Sequence, residues 1–221
     1  MKVTLIGKTV SLIDNSIPEV AASICYDSHN PASALKGALS SGHESVMEHQ
    51  SYSFLIEEVS RTLLAQLTRH RLASFSVQSQ RYCGVENQDV IIPDTIADDE
   101  TLAKEYADIV KRSRRYYDHL VNVCGIPAED ARYITPQGIT TKLVMTANAR
   151  ELNHFLRLRM CNRAQWEIRE LADAMRRILY KENPSLFANA LPGCCTKQGC
   201  TEGRRSCGRK RTDLLEATDD R

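Results

Sequence analysis

The first part of the chain, up to residue 68, alternates between strand-like and helix-like patterns. Residues 2–13 predict one or two strands. Between residues 50 and 58, Tyr52, Phe54 and Ile56 occupy every second position, which also predicts a strand. Helices are predicted over the remaining segments, namely 16–28 with Ser16 and Glu19 as a capping box, 31–42 and 59–68.

Longer helical patterns dominate the rest of the chain. Apolar residues recur at helical spacing from residue 98 to residue 124, and Gly125 ends that pattern. The remaining predictions are a short helix after Pro127, a β-branched strand over 139–147, and two further helices over 149–160 and 164–183. Strands and helices without a regular βαβ rhythm indicate an α+β fold.

The composition is that of an ordinary globular protein, and it excludes several classes. The 221 residues carry a net charge of +1, whereas general nucleic-acid binders carry a broad basic surplus. No apolar run has the length of a transmembrane helix, and the N-terminal segment, interrupted by Lys8, indicates a strand and not a signal peptide. Eight cysteines without a secretory signal predict free thiols in a reducing cytoplasm. We therefore expect neither a membrane partner nor a nucleic-acid partner.

Local charge is concentrated in the segment RHRLASFSVQSQRY, residues 69–82. It holds Arg69, His70, Arg71 and Arg81 between serines and glutamines, and no acid occurs from residue 59 to residue 85. The chain has no glycine-rich phosphate loop, so a phosphorylated ligand would have to be bound by arginine side chains. The alternative is a solvated basic loop without a ligand.

A second basic cluster lies on the predicted helix 149–160. One face of this helix would carry Arg150, Asn153, His154 and Arg157. Arg159 falls on the other face, which is apolar. It either extends its charged group into water or directs a poorly screened cation into a largely apolar pocket. The sequence pattern leaves both alternatives open.

Other residue types offer no self-sufficient catalytic group. His43 and His49 lack a third metal ligand at a sensible spacing, and Ser79 has no local histidine and aspartate pair to activate it. We therefore predict no metal site and expect the chemistry to rest on cations and hydrogen-bond donors. Chemistry of that kind usually takes its reactive centre from a cofactor.

The chain from Gly193 onward differs in composition. It contains four of the ten glycines, four of the eight cysteines and a basic run. We predict a catalytic domain over 1–192 and a mobile tail over 193–221. The cysteines at 194, 195, 200 and 207 could alternatively bind zinc, although their spacing matches no paired CxxC pattern.

Four separated motifs carry a family resemblance. They are GHESVMEH at 42–49, the RHR of 69–71 followed after seven residues by Ser79, TANARELNHFLRLR at 146–159, and AQWEIRE at 164–170. In this order they resemble the flavin-dependent thymidylate synthases over most of residues 1–192. The resemblance implies the fold of the thymidylate synthase-complementing proteins, with a mixed or antiparallel sheet flanked by helices.

The resemblance also implies a reaction and an assembly. The reaction is the reductive methylation of dUMP to dTMP, with methylenetetrahydrofolate as carbon donor and FAD, reduced by NADPH, as hydride source. The family forms homotetramers whose active sites are shared between subunits. No cysteine nucleophile is then required, because Arg159 would stabilise the ionised uracil ring electrostatically.

Site residues follow from the resemblance, position by position. Those expected to bind dUMP are Gln66, Arg69, Gln78, Ser79, Gln80, Arg81, Arg132 and Arg159. Those expected to bind FAD are His43, Arg69, His70, Arg71, Val77, Asn148, Arg150 and His154. Val77 and His154 depart from residues that relatives often carry. Because two phosphorylated ligands would meet at the basic segment, we expect no carboxylate close to it.

Two other functions compete with this hypothesis. An RNA-binding protein could use Arg69, Arg71 and Arg81 on phosphates, with Phe75 and Tyr82 stacking on bases. A flavin- and nucleotide-binding regulator without catalysis is the second alternative, and Val77 slightly favours it.

Overall fold

The computed structural model describes residues 1–85 and 88–216. Its sheet has four strands in the order β1-β2-β4-β3. The strands are β1 (Lys2–Lys8), β2 (Ser51–Ser60), β3 (Ala73–Val77) and β4 (Thr140–Asn148). The combination of an antiparallel sheet with many helices confirms the α+β prediction.

Ten α-helices and four 3-10 helices are found in the described residues. The α-helices are α1 (Ile17–Tyr26), α2 (Pro31–Ser40), α3 (Arg61–Leu67), α4 (Asp94–Ala97), α5 (Glu100–Asn122), α6 (Ala128–Ala131), α7 (Ala149–Arg159), α8 (Trp166–Glu182), α9 (Pro184–Phe187) and α10 (Asp213–Glu216). The 3-10 helices are Glu44–His49, Arg132–Ile134, Gly193–Cys195 and Gly203–Arg205. The predicted helices and strands agree with these bounds to within a few residues, with two exceptions.

Both exceptions concern strands; the short helices α4, α9 and α10 were also not predicted. Residues 9–13 were expected to be extended, but β1 ends at Lys8 because Thr9 pairs with Ser51, the residue where β2 begins. Among the described residues, no strand pairs with residues 10–13, and Leu12 is 98% exposed. The short strand β3 was not predicted, although its apolar residues alternate with serines in ASFSV.

Short-range capping positions the helices that matter for function. The carboxylate of Glu19 accepts from the backbone N–H of Ser16 at 2.7 Å, as the capping box predicts. Asn148 caps α7, since its side-chain oxygen accepts from the backbone N–H of Glu151 at 2.9 Å. This cap fixes the first turn of α7, which carries several of the predicted site residues.

Chain contacts divide the protein into two compact units. The first comprises residues 1–2, 56–69 and 75–144. Its core contains Val85, Tyr117, Ala131 and Ile139. The second comprises 3–55, 70–74 and the described residues from 145 onward.

The second unit is built around the apolar faces of α7 and α8. Phe155 is fully buried, and Tyr52 meets Phe187 edge to face with ring centroids 5.5 Å apart. Asn153 was expected on a polar face, but it is 1% exposed and donates to the carbonyls of Ala149 and Leu186. A buried amide needs such partners, and α9 supplies one of them from a distant part of the sequence.

Arg211 joins the tail to the rest of the second unit. This buried guanidinium donates to the carbonyl of Met160 at 2.7 Å and forms ion pairs with Asp173 and Asp213 at 2.9 and 2.6 Å. The boundary at 192/193 is therefore not a boundary between the two units. Its division into a catalytic domain and a mobile tail stays a prediction.

Within residues 1–85 and 88–216, no helix combines the length and the apolar character needed to cross a bilayer.

Candidate functional site

Three side chains form a hydrogen-bonded line in the second unit. His70 Nδ1 lies 2.9 Å from Glu151 Oε1, and the Nε–H of Arg159 donates to His70 Nε2 at 3.1 Å. A guanidinium N–H can only donate, so Nε2 must accept and the ring proton must sit on Nδ1. Glu151 thereby fixes the tautomer of His70, and His70 in turn orients Arg159.

The environment keeps the His70 ring neutral. Its side chain is almost fully buried, as is that of Glu151, and its ring packs edge to face on Phe155 at 5.0 Å. Burial lowers the pKa of His70 below 6.5; the hydrogen bond to Glu151 opposes this shift, and the positive charge of Arg159 adds to it. A neutral imidazole between a carboxylate and a guanidinium separates the two charges while aligning both groups.

Other residues predicted to bind FAD also lie in the second unit, and the His154 ring lies 6.0 Å from that of His70. Arg71 and His154 are exposed to solvent, and Arg150 is ion-paired with Glu48. His43 is hydrogen-bonded to the hydroxyl of Tyr26, and both line a cavity of about 400 Å³ beside α2. Exposed cations and imidazoles of this kind can hold an anionic, phosphorylated cofactor.

The first unit contains a cavity of about 500 Å³ with a cationic lining. Arg61, Gln80 and Arg132 are among its lining residues. Gln80 is 8% exposed, and its amide nitrogen has no hydrogen-bond partner among the described residues. The pKa of Arg61 is lowered by burial and by the nearby charge of Arg132. Two cations and an unused donor in one cavity suit an anion such as phosphate.

The remaining residues predicted to bind dUMP in this unit have other environments. Arg81 is exposed, forms an ion pair with Glu129 at 2.7 Å and lies over the Tyr82 ring at 5.6 Å. Ser79 accepts from the backbone N–H of Arg81. Gln66 lies on α3, Arg69 is exposed just after α3, and the backbone N–H of Gln78 donates to the carbonyl of Lys142. Val77, which was predicted to bind FAD, lies at the end of β3. The cavity lining thus includes Gln80 and Arg132. It does not include Gln66, Arg69, Gln78, Ser79 or Arg81.

The expectation that no carboxylate lies close to the basic segment is wrong. Glu129 pairs with Arg81, and Glu151 bonds His70. Both acids are distant in sequence, so a local count of charges could not reveal them. The fold partly neutralises a segment that is purely basic along the chain.

Sequence reasoning missed two residues of these arrangements. Arg61 precedes the basic segment and gave no signal of its own. Glu151 lies inside the motif NARELNHF, where its position one turn below Phe155 on α7 could have indicated a buried acid needing a partner.

Comparison with known proteins identifies relatives over most of the chain. A sequence model of the family described as thymidylate synthase complementing protein matches residues 9–185. The flavin-dependent thymidylate synthase of Geobacter sulfurreducens is 38% identical over 223 residues, covering 95% of this chain and 94% of the relative. The enzyme of that name from Clostridium tetani is 40% identical over 186 residues, covering 77% and 74%.

A solved structure shares the fold. It is a crystal structure of flavin-dependent thymidylate synthase ThyX from Helicobacter pylori, complexed with FAD and dUMP. The TM-score is 0.68 at 28% sequence identity, and the match covers 86% of this chain and 100% of that chain. The family resemblance predicted from the four motifs is therefore confirmed, and the chain belongs to the thymidylate synthase complementing protein family.

Proposed function

We propose that this chain is a flavin-dependent thymidylate synthase that converts dUMP to dTMP by reductive methylation. The observation that carries the proposal is the hydrogen-bonded line Glu151–His70–Arg159 in this chain. A solved structure of the same fold, ThyX from Helicobacter pylori, is complexed with FAD and dUMP. This line presents an oriented cation on an otherwise apolar helix face. Such a cation serves a reaction in which negative charge develops on a bound ligand.

Arg159 acts on the uracil ring in this proposal. Arg159 is half-buried, and a partly desolvated guanidinium lowers the free energy of an ionised pyrimidine beside it. His70 holds Arg159 in place, and Glu151 keeps the His70 lone pair directed at Arg159. The ring is thus activated electrostatically, and no cysteine nucleophile takes part.

The phosphate of dUMP is bound by arginine and amide groups of the first unit. Arg61, Arg132 and the unpaired amide of Gln80 line one cavity there, which supports this assignment. The family pattern adds the other residues of the dUMP set, namely Gln66, Arg69, Gln78, Ser79 and Arg81. Arg81 would exchange part of its pairing with Glu129 for the ligand.

The described residues fit FAD through their donor set. Arg71 and His154 present exposed donors, Arg150 is ion-paired with Glu48, and His43 lines a cavity. The residues proposed to hold the cofactor are His43, Arg69, His70, Arg71, Val77, Asn148, Arg150 and His154. FAD, reduced by NADPH, supplies the hydride when bound, and methylenetetrahydrofolate supplies the carbon. Both ring nitrogens of His70 already have hydrogen-bond partners, Glu151 and Arg159. We therefore propose that the main role of His70 is to orient Arg159.

Assembly into a homotetramer is supported by α5. Leu102, Ile109, Tyr116 and Val123 recur every seven residues along this helix and the residue that caps it, and their exposure ranges from 46% to 72%. Side chains seven positions apart lie on one helix face. A stripe of large exposed apolar groups indicates a contact surface, and a second copy of the chain would cover it. Cytoplasmic location is part of the same proposal.

The first test is the visible absorption spectrum of the purified protein. We expect an oxidised-flavin spectrum, present on purification or after adding FAD, that bleaches anaerobically with NADPH at a rate that depends on dUMP. Formation of dTMP on adding methylenetetrahydrofolate completes the assay. A protein that stays colourless and ignores both ligands would overturn the proposal, and RNA affinity falling steeply with salt would favour the RNA-binding alternative.

The role of Arg159 is tested together with that of Glu151, which acts on Arg159 through His70. Arg159→Ala should lower turnover about a hundredfold, the scale of removing one electrostatic donor, with little change in FAD binding. Glu151→Leu should have a similar effect because His70 loses its tautomer constraint, whereas Glu151→Gln keeps an acceptor and should retain most turnover. Turnover, FAD affinity and thermal unfolding are measured for each variant. Equal loss of FAD binding and turnover would contradict the assigned role.

The hydrogen bond between Arg159 and His70 also predicts how turnover depends on pH. Because the pKa of His70 is lowered in the folded protein, the neutral ring and its bond from Arg159 persist above the unfolded-state value. Both the bond and its contribution to stability are lost as pH falls through the lowered pKa. Wild-type turnover should therefore decline on the acid side.

The phosphate site is tested by comparing dUMP with deoxyuridine. Arg132→Ala and Gln80→Ala should each weaken dUMP binding, about tenfold to a hundredfold for the loss of one charge-assisted bond. Deoxyuridine binding, measured by calorimetry, should change little because it lacks the phosphate. Arg112→Ala, on the exposed surface of α5, is the matched control and should bind dUMP normally. An equal effect on both ligands would place Arg132 outside the phosphate site.

The assembly is tested on the apolar stripe of α5. Ile109→Glu with Tyr116→Glu should reduce the mass found by light scattering and abolish turnover, because shared active sites need the intact assembly. Lys111→Glu changes charge on the same helix outside the stripe and should leave the mass unchanged. A double variant with unaltered mass would show that α5 is not part of the interface.

A further inference from the structure

Four thiols converge on one cavity in the second unit, outside the residues used above. The cavity has a volume of about 260 Å³ and lies beside the end of α7. Its lining includes Cys161, Cys194, Cys200 and Cys207. These cysteines come from separate places in the sequence, and all are free thiols.

The backbone brings Cys194 and Cys200 together. A Cβ placed on Gly193 would lie 2.7 Å from the carbonyl oxygen of Gly199, so these two backbones approach more closely than any larger residue allows. Cys194 directly follows Gly193, and Cys200 directly follows Gly199. Gly199 has a φ of 77°, which lets the chain turn back directly before Cys200.

A second set of contacts brings Cys161 towards Cys207. The side chain of Asn162 donates to the carbonyl of Arg209 at 3.0 Å, and Arg163 donates to the carbonyl of Arg205. Arg163 also lies 3.6 Å from the carboxylate of Glu202. The loop after α7 is thereby joined to the tail on either side of Cys207.

The charges around the cavity suit a thiolate centre. Arg157, Arg163, Arg209 and Lys210 line the same space as the thiols. Four thiolates with one divalent ion carry a net charge of about −2, and surrounding cations offset such a charge. Arg157 and Arg163 are already ion-paired with Glu44 and Glu202, so a thiolate centre would be a second anionic partner for them.

The described part of the tail, residues 193–215, also lacks an apolar core of its own. Within residues 193–215, Leu214 is the one apolar side chain that is buried. Segments with so little apolar burial are commonly stabilised by a disulfide or a structural metal. No disulfide is present among the described cysteines.

We propose that Cys161, Cys194, Cys200 and Cys207 form a structural zinc site that joins the tail to the end of α7. Four cysteine ligands in a closed tetrahedral arrangement are typical of structural zinc. In the described residues no three ligand side chains already surround one ion position, so the thiols rotate into the cavity on binding. Each thiol releases its proton as it binds the ion.

Cys195 is not assigned as a ligand. Its sulfur lies 3.9 Å from that of Cys194, but it donates to the carbonyl of Arg211 at 3.1 Å and does not line the cavity. This makes it a matched control for the neighbouring ligand. The site would tether the chain two residues after Arg159, without contacting substrate.

The test is the zinc content of the full-length protein, purified without chelator and measured by mass spectrometry of the metal. We expect about one zinc per chain in the wild type and at least a fivefold loss in Cys161→Ser and in Cys207→Ser. Cys195→Ser and the double variant Cys25→Ser with Cys124→Ser should keep the wild-type content. Wild type without zinc, iron in place of zinc, or equal zinc in all variants would overturn the proposal.

A second measurement covers variants that fail to fold. Wild-type protein stripped with a chelator and loaded with Co²⁺ should show the visible bands of tetrahedral thiolate coordination, and Zn²⁺ should abolish them. Chelation should also lower the unfolding temperature and expose the tail to protease, in the presence or absence of flavin. Cobalt bands without thiolate character would contradict the assigned ligands. This outcome is independent of thymidylate synthase activity, so either proposal can fail alone.

Discussion

The hydrogen bond between His70 and Glu151 is the constraint from which the second unit's chemistry follows. It joins the basic segment to α7 and leaves the second ring nitrogen of His70 with only one role, accepting from Arg159. The bond is strong because it is buried and charge-assisted. Burial and the charge of Arg159 lower the pKa of His70 and hold the ring neutral, although the bond to Glu151 opposes this shift. An arginine needs such support to act at a fixed position, because its long side chain otherwise has many rotamers.

Charge compensation by distant carboxylates recurs around the predicted site. Arg81 pairs with Glu129, Arg150 with Glu48, and Arg157 with Glu44. These pairs are at least partly exposed, so each contributes little to stability. Their arginines can therefore turn towards an anionic ligand at small cost. The cavity lined by Arg61 and Arg132 differs, because its charges repel and an anion would relieve that repulsion.

The tail shows how a polar segment can still be held in place. Arg211 is its buried anchor, with its guanidinium shared between Asp173, Asp213 and the carbonyl of Met160. Removing one partner of a buried ion pair destabilises the fold strongly, although the intact pair itself contributes less to stability. The proposed zinc site would hold the tail to the same end of α7, through Cys161. Anchor and metal would together compensate for the scarcity of apolar contacts.

The sequence by itself determined most helices and strands, because capping residues and apolar periodicity are local signals. It also determined the family, since four motifs occur in the family's order. The helical spacing identified Arg159 as a cation on an apolar face. It could not determine what lies beside each cation. Glu151 and Glu129 reach the basic segment only through long-range packing, Asn153 is buried because α9 covers it, and Arg61 meets Arg132 only in the folded unit. Contacts between residues far apart in sequence decide burial and charge pairing, and these are properties of the tertiary structure alone.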